Sequence, residues 1–190
     1  MRVLIAGSPM KFVATIAKFV FWAVLCIAIS SIPARIVSSA ESARATPCEA
    51  PVYRQFDFWV GDWDAFDADN PNKVVARTRV TRILGGCVLL EDYQGADGHV
   101  GQSFTIYDSS RKRWHQTWVT NQGTLLMIEG SFQEGKMVLQ GADQTQDKIR
   151  QVRGTWTAVP EGVREYAVIS TDGGKTWTQW FDLIFRSHKP

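Results

Sequence analysis

Short apolar runs alternate with turn residues along most of the chain. After Gly61, runs rich in Val, Ile, Thr, Trp, Tyr and Phe are separated by Gly, Asn, Asp and Pro at intervals of roughly ten residues. The apolar positions in this part do not keep a helical period over several turns. The pattern therefore predicts ten short β-strands, at 62–68, 74–84, 88–94, 102–107, 114–120, 125–132, 136–141, 152–158, 163–170 and 177–185.

The segments between the predicted strands have the composition of tight turns. Sequences such as GADGHVG, QEGK and TDGGK supply Gly or Asn where the backbone of a hairpin loop needs positive φ. Strands joined in this way form an antiparallel meander, whose two edges are exposed unless the sheet closes. We therefore predict an all-β fold, a single-domain antiparallel up-and-down β-barrel of about eight to ten strands, with a two-sheet sandwich as the alternative.

Two of the predicted strands carry aromatic and polar side chains on one face. In RWHQTWV the alternation groups Trp114, Gln116 and Trp118, and in CVLLEDYQ it groups Glu91 with Tyr93. Aromatic rings mixed with a few polar groups are typical of a pocket wall, and a dry core is the alternative. We predict that these five residues bind a ligand inside the barrel.

The beginning of the chain has a different composition. Lys11 and Lys18 precede the uncharged apolar run FVFWAVLCIAISSI, and small residues follow it. This order predicts a secretory signal peptide over 1–45, cleaved after Ala40 or Ala45, and a barrel domain over 46–190. An uncleaved anchor is the alternative, although the run is shorter than the about 18 residues of a membrane span. We expect a secreted or periplasmic protein without a stable membrane anchor after cleavage.

The charge of the chain changes when this leader is removed. The full sequence has 21 Lys and Arg, 19 Asp and Glu and a net charge of +2. Residues 1–45 contain five of the basic and one of the acidic side chains, so the remaining chain has a net charge of −2. A mildly acidic chain without a basic run argues against nucleic acid as a partner.

Two cysteines follow the predicted leader, Cys48 and Cys87. An even number of cysteines in an exported chain predicts a disulfide between them. The alternative is two separate thiols, with Cys87 buried. A bridge would tie the beginning of the mature chain to the barrel.

The first and the last predicted strands carry a recognisable pair of features. Gly61-Asp62-Trp63 is a G-x-W at the start of the first strand, and Arg186 ends the last strand. This pair resembles the signature of the calycin and lipocalin superfamily. The resemblance implies that Trp63 and Arg186 are structural residues that meet across the closing seam, where the guanidinium covers the indole face.

Longer stretches look like a family of secreted bacterial calycin-like domains of unknown function. The stretches that carry this likeness are FDFWVGDWD, ILGGCVLLEDY, GQSFTIYD, RWHQTWV and STDGGKTWTQWFDLIFR. The resemblance implies a barrel and export, and it brings no known activity. The second and third lipocalin signatures are not recognisable, so no ligand and no catalytic residue is transferred.

Three other features suggest chemistry less directly. The segment STDGGKTW fits the hairpin called the Asp-box, in which Asp172 caps the turn amides, and a single copy predicts a structural hairpin. Asp62 and Asp64 flank an inward tryptophan and are expected to face solvent. His115 with Glu91 or Asp92 is a possible acid/base pair. We predict no metal site and no cofactor.

The function predicted from these observations is the binding of a small apolar or aromatic molecule inside the barrel. One alternative is a lipocalin-fold enzyme of the isomerase, cyclase or hydratase type that acts on an apolar substrate. Another is a structural envelope protein that acts through its surface. A fold does not choose among these, because function depends on the site that the fold carries. Catalytic residues and the oligomeric state stay open at this level.

Overall fold

The computed structural model describes residues 48–145 and 148–189. Each of the ten predicted strands is present, and the predicted signal peptide lies outside the described residues. Three short 3₁₀ helices, Pro51–Arg54, Asp57–Trp59 and Leu84–Gly86, accompany the strands. The strands are β1 Gly61–Asp67, β2 Asn70–Ile83, β3 Val88–Gly95, β4 Val100–Asp108, β5 Arg113–Thr120, β6 Leu125–Gln133, β7 Lys136–Thr145, β8 Lys148–Val159, β9 Gly162–Ser170 and β10 Thr178–Ser187.

The ten strands form one closed antiparallel barrel. Each strand pairs with the next along the chain, and β10 pairs with β1 to close the sheet. At this seam Trp63 lies opposite Ser187 and Ala65 lies opposite Phe185. Closure pairs both edges that a meander of this composition would otherwise expose. The prediction of an up-and-down barrel is confirmed, and the sandwich is excluded.

One end of the barrel is filled by apolar side chains. Phe56 and Trp59, from the chain that precedes β1, are buried against rings of the strands. Trp59 packs edge-on to Phe185 with the ring centres 4.6 Å apart, and it stacks on Trp63 at 6.1 Å. The indole N–H of Trp63 donates to the carbonyl oxygen of Trp59, with 3.1 Å between the atoms. The segment 56–59 is therefore a plug that closes this end of the barrel.

The predicted contact between Trp63 and Arg186 is corrected by the register of the seam. Arg186 pairs with Asp64, one residue beyond Trp63, so the two side chains lie on opposite faces of the barrel. The guanidinium of Arg186 lies outside, 4.5 Å from the ring centre of Phe66, and donates to the carbonyl oxygen of Pro71 at 2.7 Å. Trp63 closes the barrel from within, whereas Arg186 covers the seam from outside.

A disulfide joins Cys48 to Cys87, as predicted. It joins the segment that precedes the plug in sequence to the turn between β2 and β3. Arg54 supports the same place, because its guanidinium donates to the carbonyl oxygens of Cys48 at 2.9 Å and Gly86 at 2.6 Å. The plug is thus held to the barrel by a covalent bond and by hydrogen bonds.

The Asp-box segment forms the predicted hairpin turn between β9 and β10. The Asp172 carboxylate accepts from the backbone N–H groups of Lys175 and Thr176 and from the hydroxyl of Ser170. Hydrogen bonds from the hydroxyl and the backbone N–H of Thr176, together with those from Ser170 and Lys175, lower the pKa of Asp172 to about 2. The guanidinium of Arg153 covers the ring of Trp177 at 4.1 Å. The hydrogen bonds of Asp172 stay within the turn, and Arg153 joins the turn to β8, so the motif is a structural hairpin.

The outer face of the barrel carries several ion pairs. The carboxylate of Asp62 contacts the guanidinium groups of Arg77 and Arg79, and Asp64 contacts His188. Both aspartates face outward, as the alternation predicted. A search of the described helices finds none with the length and apolar composition needed to cross a membrane.

Candidate functional site

A cavity of about 600 Å³ lies inside the barrel. It reaches the end of the barrel opposite the plug, because Asp67 at the end of β1 and Trp180 near the start of β10 both line it. The turn between β3 and β4 also contributes to the wall, through Asp97 and His99. The plug closes one end of the barrel, and these residues surround the other, which we call the mouth.

Most of the cavity wall is apolar or aromatic. Inward positions of β6, β8 and β10 supply aliphatic side chains, among them Ile128, Val152 and Leu183. Alternation along each strand explains this lining, because every second residue points into the barrel. Trp118 and Trp156 add large rings to the wall. The lining suits a ligand with a substantial apolar or aromatic part.

Three rings form a cluster near the mouth. The ring centres of Tyr93 and Trp118 are 5.8 Å apart in an edge-to-face arrangement, and His99 stacks on Trp118 at 6.4 Å. Gly101 permits this packing, because a Cβ atom at this position would lie 2.3 Å from the Trp118 ring. The cluster presents aromatic surface to a molecule that enters the cavity.

Deeper in the cavity, a hydrogen-bonded network of buried polar side chains spans four neighbouring strands. The Glu91 carboxylate accepts from the Ser103 hydroxyl at 2.8 Å and from the Thr78 hydroxyl at 3.4 Å. The amide nitrogen of Gln116 donates to the hydroxyls of Thr105 at 3.0 Å and Ser103 at 3.4 Å. Glu91 and Gln116 also line the cavity, so a ligand can reach this network.

Burial changes the acidity of Glu91. Removal from water disfavours the ionised carboxylate and raises the pKa of Glu91 from 4.5 to about 7. The hydrogen bonds from Ser103 and Thr78 act in the opposite direction, and the nearby charge of Asp92 adds to the increase. Glu91 can therefore hold or release a proton near neutral pH.

A second carboxyl group faces the same cavity. Glu165 on β9 lines the wall, and burial raises its pKa well above the ordinary value. Repulsion from Glu91 adds to this increase, while the indole of Trp156, its cross-strand neighbour, opposes it. Glu91 and Glu165 come from strands that are not neighbours in the barrel, and both face the cavity.

Carboxyl groups of the same cavity act on the Tyr93 hydroxyl. Burial raises the pKa of Tyr93 to about 12, and the charges of Glu165, Asp97, Glu91 and Asp67 contribute further, in that order. These four carboxyl groups also line the cavity. Carboxyl groups from several strands and from the turn between β3 and β4 therefore act together inside the barrel.

Four of the five residues predicted to bind a ligand lie in the cavity wall. Glu91, Tyr93, Gln116 and Trp118 line it together. Trp114 faces inward too, but it is buried beside the plug, with its ring centre 6.0 Å from that of Phe56. The inward row of β5 runs along the barrel axis, so it passes from the plug to the mouth within a few residues.

The structure corrects the pairing suggested for His115. Its ring lies on the outer face, where Nδ1 is 2.9 Å from a carboxylate oxygen of Glu129 and Nε2 is 2.8 Å from the hydroxyl of Thr117. Glu91 faces the cavity on the other side of the sheet. The alternation that places Gln116 inside necessarily places His115 outside.

Sequence reasoning missed several residues of the wall, and Glu165 is the most important. It lies between the inward residues Val163 and Ala167, so the alternation of β9 identifies it as inward. His99 belongs to the predicted turn sequence GADGHVG, and it also lines the mouth. Asp67 and Asp97 carried no comparable signal, since their position depends on where the strands end.

No group of three or more His, Cys, Asp or Glu side chains within 48–145 and 148–189 is arranged to hold a metal ion. A scan against protein-family models finds no match to the chain, and a search of curated proteins finds none either. The cavity and its polar groups are therefore the features from which a function can be inferred.

Proposed function

We propose that this protein is exported and binds a small molecule with an apolar or aromatic body inside its barrel. The observation that carries the proposal is the cavity of about 600 Å³. This volume falls within the range of about 300 to 1,000 Å³ that is usual for small-molecule sites. The Cys48–Cys87 disulfide supports export, since such bonds persist in oxidising compartments.

The cavity combines the two properties that a specific binding site needs. The aliphatic and aromatic wall favours transfer of an apolar body out of water, by roughly 25 cal/mol for each Å² buried. The polar network around Glu91 and Gln116 offers a place for one polar group of the ligand. A structural envelope protein would have no need of such an interior, so the cavity favours binding over this alternative.

We also propose that the chain is a member of the calycin superfamily. The closed up-and-down barrel and the position of Trp63 at its plugged end support this assignment. The outward position of Arg186 departs from the expected arrangement.

Narrowing the cavity is expected to weaken the binding of an apolar probe. The probe is N-phenyl-1-naphthylamine, an uncharged aromatic fluorophore whose emission increases in apolar surroundings. The double variant Ile128→Trp, Ala167→Phe enlarges two buried side chains that line the cavity. We expect one probe molecule per chain, and a loss of affinity of about tenfold or more in the variant, because the added rings take up its space.

The neighbouring residue provides the matched control. Met127 precedes Ile128 on β6, is 54% exposed and faces outward beside other exposed apolar residues. Met127→Trp should leave the affinity within about twofold of the unmodified protein. Circular dichroism and thermal unfolding establish that both variants fold. Equal weakening in both variants, or no weakening in the double variant, would show that the probe binds outside the barrel and would contradict the proposal.

The pKa of Glu91 favours a second candidate function, acid/base catalysis on an apolar substrate. A carboxyl group that titrates near neutral pH in an apolar cavity is suited to proton transfer. Native mass spectrometry of protein purified from its own envelope can identify a co-purifying molecule. For a catalyst, Glu91→Gln should reduce turnover of that molecule by about 10²- to 10⁴-fold while binding is retained. Unchanged composition of the molecule after incubation with the unmodified protein would exclude this function.

A further inference from the structure

The charged groups that face the cavity are mostly acidic. Asp67, Glu91, Asp97 and Glu165 supply four carboxyl groups, and Lys73 is the basic side chain in the described wall. None of these carboxyl groups forms an ion pair with a described basic residue. Burial without a positive partner favours the protonated form of such a carboxyl group, and a bound cation would favour the ionised form.

An ion pair near the mouth does not change this balance. Asp143 and Arg150 face each other across β7 and β8, and both oxygens of Asp143 accept from the guanidinium of Arg150. The same guanidinium lies 4.4 Å from the ring centre of Trp180. Arg150 is thus already neutralised by Asp143. The cavity keeps its excess of carboxyl groups.

The immediate surroundings of Glu91 suit a cation. Its side chain is only 8% exposed, and it faces the cavity. The groups that contact its two oxygens in the described structure are the neutral hydroxyls of Thr78 and Ser103. Glu165 approaches from β9, close enough for the two charges to repel each other. A positive group between them would relieve this repulsion and satisfy both carboxylates.

The aromatic part of the wall favours a cation as well. Tyr93, Trp118 and Trp156 line the same cavity as the two glutamates. The face of an aromatic ring attracts a nearby cation through its quadrupole, and the attraction increases when water is excluded. Carboxylates combined with several rings form an environment suited to organic ammonium groups.

We propose that the ligand of this cavity is an organic cation, a hydrophobic amine whose ammonium group binds between Glu91 and Glu165 while its apolar body packs against Trp118, Trp156 and Ile128. This inference rests on the proposed binding function and names its ligand class. The ammonium donates hydrogen bonds to the carboxylate oxygens, and the Tyr93 hydroxyl lies within the same group of carboxyl groups. Asp67, Asp97 and His99 surround the route of entry at the mouth.

Binding of such a cation is coupled to the loss of protons from the cavity. The free protein holds a proton on Glu91 below about pH 7. An alkylammonium group, like that of lysine, has a pKa of about 10.4 and stays charged across this range. The cation prefers ionised carboxylates, so its affinity should rise with pH as Glu91 loses its proton, and binding should release protons.

A matched series of three probes tests the charge preference. The probes are 2-(1-naphthyl)ethylamine, 2-(1-naphthyl)ethanol and 3-(1-naphthyl)propionate, which share one ring system and differ in charge. Calorimetric titration at about pH 8 should show the amine binding about tenfold or more tightly than the alcohol, and the carboxylate most weakly. From about pH 5.5 to about pH 8 the affinity for the amine should rise by about tenfold, and that for the alcohol should change little.

Two variants assign the preference to the two carboxyl groups. Glu91→Gln and Glu165→Gln should each lower the affinity for the amine by about tenfold at about pH 8. The affinity for the alcohol should change by less than about threefold. Glu161→Gln is the matched control, because this side chain is exposed in the turn before β9. The control should bind all three probes as the unmodified protein does. A pH dependence that persists in Glu91→Gln would come from another group of the cavity, Glu165 first among them, and would overturn the role given to Glu91.

The outcomes separate this inference from the function on which it rests. If the alcohol binds in the cavity as tightly as the amine, the binding function stands and the inference of an organic cation is wrong. If the carboxylate binds most tightly, the inference is also wrong. If none of the three probes binds and N-phenyl-1-naphthylamine also fails to bind, the proposed function itself is contradicted.

Discussion

Phe56→Ala is expected to lower the free energy of unfolding by about 3 to 5 kcal/mol, because it removes a fully buried ring from the plug and leaves a cavity. Phe56 is 0% exposed, and its ring centre lies 5.3 Å from that of Phe58, 5.6 Å from Trp156 and 6.0 Å from Trp114. The disulfide holds the plug in place but does not replace these contacts. Urea unfolding monitored by circular dichroism measures the change.

The same substitution on the outer face is the control for this prediction. Phe104 lies on β4, is 46% exposed and loses little buried surface when truncated. Phe104→Ala should therefore change the free energy of unfolding by no more than about 1 kcal/mol. A similar loss in the two variants would mean that the plug is not part of the cooperative core. Our account of how the barrel closes would then be incorrect.

Glu91→Gln is expected to stabilise the free protein at alkaline pH by about 3 kcal/mol, which corresponds to the increase in pKa multiplied by about 1.36 kcal/mol per unit. The pKa of Glu91 is 4.5 in a model peptide and about 7 in the folded barrel. The folded state thus binds the proton more tightly than the unfolded state. The resulting stabilisation is complete below pH 4.5 and is lost as the pH rises through about 7.

Glutamine imitates the protonated side chain and does not ionise, so the variant should escape this loss. Urea unfolding at about pH 4.5 and at about pH 8 gives the difference between the variant and the unmodified protein, which should be near zero at the lower pH. The variant also removes the repulsion between Glu91 and Glu165, which adds to the increase in the free energy of unfolding at the higher pH. Glu161→Gln, on the surface, should show no such difference. An unmodified protein that is more stable than Glu91→Gln at about pH 8 would refute the account of Glu91 as a buried carboxylate without a cation.

The cost of ionising Glu91 is informative about function. Ionisation of Glu91 lowers the free energy of unfolding of the free protein, so stability does not explain why this side chain is present. Residues of this kind are concentrated at functional sites. A bound ammonium would turn the same carboxylate into a stabilising partner. The stability measurement and the binding measurement therefore test the same carboxyl group in two independent ways.

The sequence by itself determined the positions and order of the strands and their connection by tight turns, whereas it left the closure of the sheet and the disulfide as the favoured of two alternatives. The strands and turns follow from local signals, because the alternation of apolar residues and the turn composition act over a few neighbouring residues. The same alternation placed Glu91, Gln116 and Trp118 on inward faces. Each of these conclusions requires only the period of two that a strand imposes on its side chains.

The tertiary structure alone decided how far along the barrel each inward residue lies and which distant residues meet. Trp114 and Trp118 share one face, yet the first packs beside the plug and the second lines the cavity. The seam register alone sends Arg186 outward. Glu91 and Glu165 belong to strands that are far apart in sequence, and they interact only because the sheet closes on itself. The pattern along a strand specifies the face on which each side chain lies. Register and closure specify how far along the barrel axis the side chain lies and which distant residues it contacts, and the candidate site depends on both.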